Sequence, residues 1–178
     1  MAGPPRLDEQ RFIERVARLA AAARPRSAVR PVLGIGDDAA ALAVPPGLEI
    51  LLTTDFLVEG THFRTAWTPG FLLGRKAVAV NLSDIAAMGG VPHACVLSVG
   101  FPRRTPPAYA DAVARGAADG ARRTGVALVG GDTCASPALF VSVTLLGVVE
   151  PGGAVRRGTA RPGDGLYVTG RLGASAAG

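Results

Sequence analysis

The sequence predicts a mixed α/β domain, because segments with helical periodicity alternate with short apolar runs of the kind that form buried strands. Hydrophobic residues make up 48% of the 178 residues, which is enough for a substantial core. Aromatic residues make up only 5%, so the core is expected to consist mainly of Ala, Val and Leu. The expected architecture is a mixed β-sheet flanked by helices.

Three segments carry helical patterns. Residues 7–24 place apolar side chains at helical spacing, with acidic residues early and arginines late. Residues 71–88 form the second helical segment, which is followed by two glycines and a proline that end it. The third runs from 106 to about 125, with Thr105 predicted as the N-cap and Pro106 at the first helical position.

Strands are predicted from runs rich in β-branched and aliphatic residues. The run at 126–132 is expected to end in a tight glycine turn. The predicted strands are residues 48–55, 93–101, 126–132, 138–150 and 166–170.

The domain organisation predicted from these elements has two parts. Residues 1–150 form an N-terminal domain, and residues 151–178 contain a connector rich in Gly, Pro and Arg and the beginning of a second, incomplete domain. The last eight residues resemble a helix start, which predicts that the chain is a fragment.

Composition and charge exclude several classes of function. The net charge is +5, but the basic residues are 18 scattered arginines and one lysine, without the clustered basic patch that nucleic acids require. No apolar run reaches 18 residues, and the N-terminus lacks a signal-peptide core. The two cysteines lack metal-ligand spacing and indicate reduced thiols in the cytoplasm. We therefore expect a cytoplasmic protein that binds neither nucleic acid nor membrane.

Five aspartates occur in apolar segments, where solvated acids are unusual. Asp37 and Asp38 are adjacent in the stretch GIGDDAA, Asp55 ends a strand, Asp84 lies in the second helix and Asp132 follows VALVGG. A carboxylate that is buried alone costs several kcal/mol, so its burial requires a cation or a hydrogen-bonding partner.

Fixed cations are scarce beside these acids. Lys76, the sole lysine, precedes Asp84 by eight residues, which is too far for a one-turn helical pair. Oxygen-bearing neighbours accompany the acids, which favours Mg²⁺ and hence a phosphate-bearing substrate. Taken singly, each acid has a structural alternative as the cap of a turn or helix.

No standard phosphate-binding motif accompanies the acids. The sequence lacks a P-loop and the protein-kinase motifs, and GIGDDA is only part of a dinucleotide-binding fingerprint. His62 lies about thirty residues from the other histidine, His93, and an isolated histidine is more often structural than a ligand.

Five segments together resemble the thiamine-monophosphate kinase family, which belongs to the aminoimidazole ribonucleotide synthetase-like superfamily. The resemblance covers residues 32–178. Its motifs are GIGDDAAAL, LLTTDFLVEGTHF, KAVAVNLSDIAAMGGVP, VGGDT and RPGDGLYVTGRLGASAAG.

The resemblance implies an ATP- and Mg²⁺-dependent transfer of the γ-phosphoryl group to thiamine monophosphate, which gives thiamine diphosphate. It also implies an N-terminal domain of the synthetase type, whose sheet joins that of a second copy in a homodimeric barrel, with ATP bound near the interface. The implied magnesium ligands are Asp38, Thr54, Asp55, Asp84 and Asp132, with Asp37 a weaker candidate. ATP contacts are implied for Gly131, Asp132 and Arg157, and a contact with the thiamine phosphate for His62.

The chain departs from the family pattern at Ala174, where the family has Asp. The family's second domain supplies further contacts, so we expect the 178 residues alone to be poorly active. Two alternatives stay open. One is another ATP-using enzyme of the superfamily, although selenophosphate synthetase is disfavoured because no cysteine lies near the N-terminus. The other is a nucleotide-binding or dimerisation module without chemistry of its own.

Overall fold

A computed structural model describes residues 8–22, 28–36, 38–168, 170 and 172–173. Within these ranges, three α-helices cover a four-stranded sheet, and a two-stranded hairpin lies beside it. This is the mixed α/β architecture that the sequence predicts. Among the helices of the described ranges, none has the length and apolar character that a membrane crossing needs.

The elements follow one another along the chain with short connections. The helices are α1 (Glu9–Ala21), α2 (Gly70–Ala87) and α3 (Pro107–Arg123). The strands are β1 (Arg30–Leu33), β2 (Ala41–Ala43), β3 (Glu49–Val58), β4 (Val91–Phe101), β5 (Ala127–Ala135) and β6 (Phe140–Val149), and a 3₁₀ turn follows at Arg157–Thr159.

The four-stranded sheet has the order β3-β6-β4-β5. β6 pairs antiparallel with both β3 and β4, whereas β4 and β5 are parallel. The parallel pair requires a long crossover, and α3 supplies it. The register of β4 against β6 shifts between Pro92 and Ala94, so the intervening His93 lies at a bulge.

The main core lies between the helices and one face of the sheet. Alternate residues of the central strands are buried there, among them Leu97 and Val99 of β4 and Val143 of β6. α1 contributes Phe12, whose ring lies edge-on to that of Phe101 with centroids 5.7 Å apart. Aliphatic and alanine side chains dominate this core, as the low aromatic content predicts.

Helices α2 and α3 approach each other closely because glycine occupies their contact. A Cβ atom at Gly74 would overlap the Val113 carbonyl, and one at Gly116 would overlap the Phe71 carbonyl. Small side chains therefore set the distance between the two helices.

The opposite face of the sheet is only partly covered. Ala40 and Leu42, in and beside β2, pack against Val129 of β5. The β3 side of this face stays exposed: the exposed fractions of Ile50, Leu52 and Phe56 are 55%, 69% and 52%. We call this apolar strip of β3 the open face.

The prediction for the second helix is confirmed to within a residue at each end. The start of the third helix differs, because helix α3 begins at Pro107 and its N-cap is Pro106, not Thr105. Neither proline has a backbone N–H, so both fit helix positions where this group has no intrahelical partner. The backbone N–H of Thr105 instead donates to Pro102.

Two strand predictions were wrong. The predicted glycine turn after 126–132 is absent, since β5 continues through both glycines to Ala135 beside β4. Residues 166–168 of the predicted strand 166–170 form no ladder, and Leu166 and Tyr167 are exposed. A β-branched run needs a neighbouring strand, and the described residues offer it none. Most of the predicted terminal helix start lies outside the described residues.

Candidate functional site

A cavity of about 640 Å³ lies on the hairpin side of the sheet. Its size falls within the roughly 300–1,000 Å³ that is typical of ligand pockets. Helix α1, residues 34–36, 38–40 and 42 of the hairpin, and all four strands of the larger sheet contribute to its walls. Most of the lining is apolar, and its polar members are Asp38, Ser98, Asp132, Thr133 and Thr144.

The segment between β1 and β2 brings Asp38 to this cavity. Gly34 and Gly36 also line the wall, and Gly36 has a φ of 127°, which side-chain-bearing residues rarely adopt. Asp38 is exposed at the cavity rim. Its neighbour Asp37 lies outside the described residues.

Strand β5 brings Gly131 and Asp132 to the same cavity. A Cβ atom at Gly131 would overlap the Leu97 carbonyl of β4, so only glycine fits this close approach. The Asp132 Oδ1 atom accepts a hydrogen bond from the Thr133 backbone N–H at 2.9 Å, and the carboxylate is exposed. The structure therefore unites Asp38 and Asp132, which are far apart in sequence.

The Thr54 hydroxyl lies on the same face of the sheet as Thr144, a cavity residue. The two Oγ1 atoms are 3.1 Å apart, and Thr54 Oγ1 also donates to the Val143 carbonyl at 3.2 Å. The Ser142 hydroxyl donates to the Asp55 carbonyl at 2.9 Å. Thr54 thus belongs to a row of hydroxyls beside the cavity.

A second group of candidate residues lies on the helix face. The Thr53 hydroxyl donates to Asp84 Oδ2 at 2.6 Å, which connects β3 to α2. Strand alternation sends Asp55 to the same face as Thr53. Asp55 is half-buried, and within the described ranges its carboxylate makes no hydrogen bond or ion pair.

The structure does not bring all the predicted acids together within one chain. The registers align Asp55 of β3 with Gly131 of β5 across the two intervening strands, a separation of about 14 Å at about 4.8 Å per strand. In the part of the chain that the structure describes, no three His, Cys, Asp or Glu residues form a group that could hold a metal ion. The assignments of individual magnesium ligands stay predictions.

His62 lies in the turn that follows β3. The Val58 backbone N–H donates to His62 Nδ1 at 3.1 Å, so Nδ1 is an acceptor and Nε2 carries the proton of the neutral ring. The Lys76 ammonium donates to the His62 backbone carbonyl at 2.7 Å. His62 does not line the cavity.

The remaining predicted residues are not brought to the cavity. Arg157 opens the exposed 3₁₀ turn, and its side chain makes no hydrogen bond or ion pair with the described residues. Ala174 lies outside the described residues.

The hydroxyls of Ser98 and Thr144 also line the cavity, although neither residue is among the predicted site residues. Their signal is the alternation of polar and apolar residues along each strand, for example Ser142 and Thr144 between valines and leucines.

Burial decides the state of two other titratable groups. Burial raises the pKa of the Cys95 thiol to about 12, so this cavity-lining sulfur stays protonated and is a poor nucleophile. Desolvation lowers the pKa of His93, which is 4% exposed, and favours its neutral ring.

The fold, with two aspartates at a largely apolar cavity, is that of an N-terminal domain of the AIR synthase-related class. Residues 36–149 match the family model of the "AIR synthase related protein, N-terminal domain", and the chain belongs to this family. Within it, the chain is similar to the thiamine-monophosphate kinase of Bacillus subtilis, with 40% identity over 147 residues. That match covers 82% of this chain and 45% of the relative, so the chain spans less than half of the relative's length.

Two solved structures are also similar. The thiamine-monophosphate kinase of Stenotrophomonas maltophilia is 38% identical with a TM-score of 0.68, over 82% of this chain and 44% of that one. AaThiL complexed with AMPPCP and TMP is 27% identical with a TM-score of 0.57, over 84% of this chain and 45% of that one. The resemblance predicted from the five motifs is confirmed.

Proposed function

We propose that this domain serves in an ATP-dependent kinase that phosphorylates thiamine monophosphate to thiamine diphosphate. The observation that carries the proposal is the convergence of Asp38, Gly131 and Asp132 on one cavity. Similarity to thiamine-monophosphate kinases supports the substrate, and the AMPPCP and TMP bound to AaThiL support both ligand classes.

The chemistry suits a site that is built from carboxylates. The acceptor is itself a phosphate whose second pKa is near 6, so it is largely dianionic at neutral pH and needs little help from a base. The main barrier is the repulsion between two polyanions, and bound Mg²⁺ lowers it by neutralising charge. An acceptor oxygen forms the new bond to the γ-phosphorus while the bond to the departing ADP oxygen breaks.

The donors on both faces suit Mg²⁺ chemically, because this ion takes one or two carboxylates together with water and substrate phosphates. Asp38 and Asp132 would hold Mg²⁺ at the cavity, with Thr54 beside them. On the helix face, Asp55 and Asp84 would hold Mg²⁺ separately, and there Asp55 has no protein partner in the described ranges.

Each ligand has proposed contacts in this chain. Gly131 and Asp132 would contact ATP at the cavity wall, which both residues line. Arg157 is the third proposed ATP contact. His62 would donate from Nε2 to the phosphate of thiamine monophosphate.

A homodimer is part of the proposal. The open face exposes Ile50, Leu52 and Phe56 in one strip, and a second copy of the sheet would cover it. Residues 1–150 would then form the nucleotide-binding and dimerising domain, with residues 151–178 as a linker and the start of the next domain. The cytoplasmic location stays a prediction.

The test of function is phosphoryl transfer by the chain, alone and joined to the region of the Bacillus subtilis relative that lies beyond the match. We expect ADP formation that depends on both Mg²⁺ and thiamine monophosphate, with slow turnover by the 178 residues alone. Unphosphorylated thiamine should be a poor acceptor. Equal rates with both acceptors would contradict the proposal.

Asp84→Asn tests the acids in the joined protein. Asparagine can still accept the Thr53 hydrogen bond, so the fold should persist, whereas kcat should fall on the order of 10²-fold through lost charge stabilisation. Asp119→Asn is the matched control, because Asp119 pairs with Arg75, Arg122 and Arg123 and belongs to neither group of candidate acids. A near-normal rate for Asp84→Asn at saturating Mg²⁺ would remove the metal role.

The alternative is a nucleotide-binding or dimerisation module without chemistry of its own. Calorimetry with Mg·ATP decides between the two. Binding without any turnover, in the joined protein as well, would favour the module.

A further inference from the structure

The turn after β3 is stabilised by hydrogen bonds, the first of which lie within its own backbone. Its backbone closes on itself through bonds from the Thr61 and His62 N–H groups to the Val58 carbonyl, at 3.2 and 2.9 Å. Gly60, with a φ of 85°, permits the reversal. We call residues 58–68 the histidine loop.

The sole lysine of the chain is used to hold this loop. Lys76 lies in α2, and within the described ranges it makes no ion pair with a carboxylate. Its ammonium instead donates to the His62 carbonyl at 2.7 Å. A hydrogen bond from a charged donor is stronger than one between neutral groups, so this contact fixes the His62 backbone to the helix.

The His62 ring is oriented by a separate bond from the backbone. Because Nδ1 accepts the Val58 N–H, the Nε2–H of the neutral ring is the donor left for another group. The ring is exposed, and the Val58 N–H sets its tautomer without the help of a carboxylate. The hydrogen bond from Lys76 thus holds the backbone of His62, and the hydrogen bond from Val58 holds its ring.

We propose that Lys76 is a positioning residue: by holding the His62 carbonyl, its ammonium keeps the imidazole Nε2–H aimed as a donor at an anionic oxygen of the phosphorylated acceptor. This inference rests on the proposed function for the identity of the acceptor. The positioning itself rests only on the two hydrogen bonds of His62.

The first experiment measures the His62 tautomer without ligand. The chain has only two histidines, so His62→Gln identifies the ring signals in ¹⁵N spectra at a pH where imidazoles are neutral. We expect wild-type His62 to show an unprotonated Nδ1 and a protonated Nε2. In Lys76→Met the two nitrogen shifts should approach each other, because the loosened turn admits both tautomers. Lys76→Arg, which keeps a charged donor, should restore most of the difference.

The matched control is Arg75→Met. Arg75 is the preceding cation on α2, but its guanidinium pairs with Asp119 at 3.7 Å and not with the histidine loop. This variant should keep the wild-type ring signals. Equal signals in Lys76→Met and wild type would overturn the positioning role.

The second experiment titrates thiamine monophosphate with Mg²⁺ and follows Trp67, the only tryptophan, which is 78% exposed in the histidine loop. Lys76→Met should bind about tenfold more weakly, at the low end of the loss expected for a charge-assisted bond. Weaker binding with unchanged ring signals would overturn the proposal in favour of direct contact between Lys76 and phosphate.

Failure of the proposed function gives a different result. A wild-type chain that does not bind thiamine monophosphate would contradict this acceptor, and with it the proposed hydrogen bond from the His62 Nε2–H to its phosphate. The ring signals of Lys76→Met would still decide whether Lys76 positions His62.

Discussion

Single residues in this domain owe their chemistry to their burial. The Cys95 thiol, whose pKa is raised to about 12, lies in the same cavity as the exposed carboxylates of Asp38 and Asp132. Cys134 is exposed, on the outer part of β5. Burial therefore keeps the cavity sulfur of Cys95 neutral, whereas the two carboxylates are open to solvent.

His93 gives a prediction on pH-dependent stability. Its folded pKa is lowered below the usual 6.5 by desolvation, so between these values the unfolded chain binds more protons than the folded chain. The free energy of unfolding should therefore fall as the pH drops from about 7 through 6.5 toward the lowered folded pKa. Urea unfolding at pH 7.5 and 5.5 measures this loss.

His93→Gln separates this contribution from that of the carboxylates. The variant removes the imidazole, so its stability should decline less over the same pH interval than that of the wild type. The same decline in both proteins would show that protonation of His93 does not govern the loss.

At the scale of elements, the contact between α2 and α3 depends on where glycine occurs. Gly116 lies where a side chain would overlap the Phe71 carbonyl, and this carbonyl belongs to backbone that cannot rotate away. Gly120, one turn later on the same helix, faces Val78, whose Cβ would be 3.3 Å from an added methyl group.

This difference predicts unequal effects of two alanine substitutions on stability. Gly116→Ala should lower the free energy of unfolding by about 1–3 kcal/mol through overpacking. Gly120→Ala should change it little, because the gain in helix propensity of up to about 1 kcal/mol offsets the tighter contact. Chemical denaturation of both variants measures this, and equal destabilisation would contradict the close-approach explanation.

At the scale of the whole molecule, the open face distinguishes the two sides of the sheet. The helices cover one side and bury most of its apolar residues, whereas β3 leaves Ile50, Leu52 and Phe56 exposed on the other. Phe56 stacks on Phe140 of β6 with ring centroids 4.8 Å apart, which joins the two strands through an aromatic contact.

A proposed dimer across this face predicts the effect of a buried charge. Leu52→Asp should convert a dimer to a monomer in sedimentation velocity experiments, since an unpaired carboxylate would enter the interface. Leu72→Asp places the same charge on α2, where the leucine is 52% exposed, and should leave the dimer intact. A monomeric wild type would contradict the homodimer directly.

Much of the fold could be predicted from local sequence. Helix α2 follows from its apolar, helix-forming composition and the glycines that end it, and β6 from its run of β-branched residues, because both signals lie in or next to the element. The strand expected at 166–170 failed for the complementary reason: pairing depends on a neighbour, and the run itself does not reveal whether one exists.

The candidate site was predictable only in part. The motifs around Asp38 and Asp132 identified both acids, and the fold brings them to one cavity. Their separation from Asp84 could not be predicted, because it follows from strand order and from which face each side chain occupies. Thr53 and Thr54 are adjacent in sequence, yet Thr53 contacts Asp84 on the helix face and Thr54 contacts Thr144 on the other.

The sequence by itself determined the family, the helices and most strands, since these depend on motifs and periodicities within short segments. Only the tertiary structure decided that Lys76 holds the His62 carbonyl, that the acids divide between two faces, and that one strip of the sheet stays open. The first depends on how α2 packs beside the end of β3, and the other two depend on the pairing of β3, β6, β4 and β5. In all three, the energy comes from contacts with partners outside the local segment.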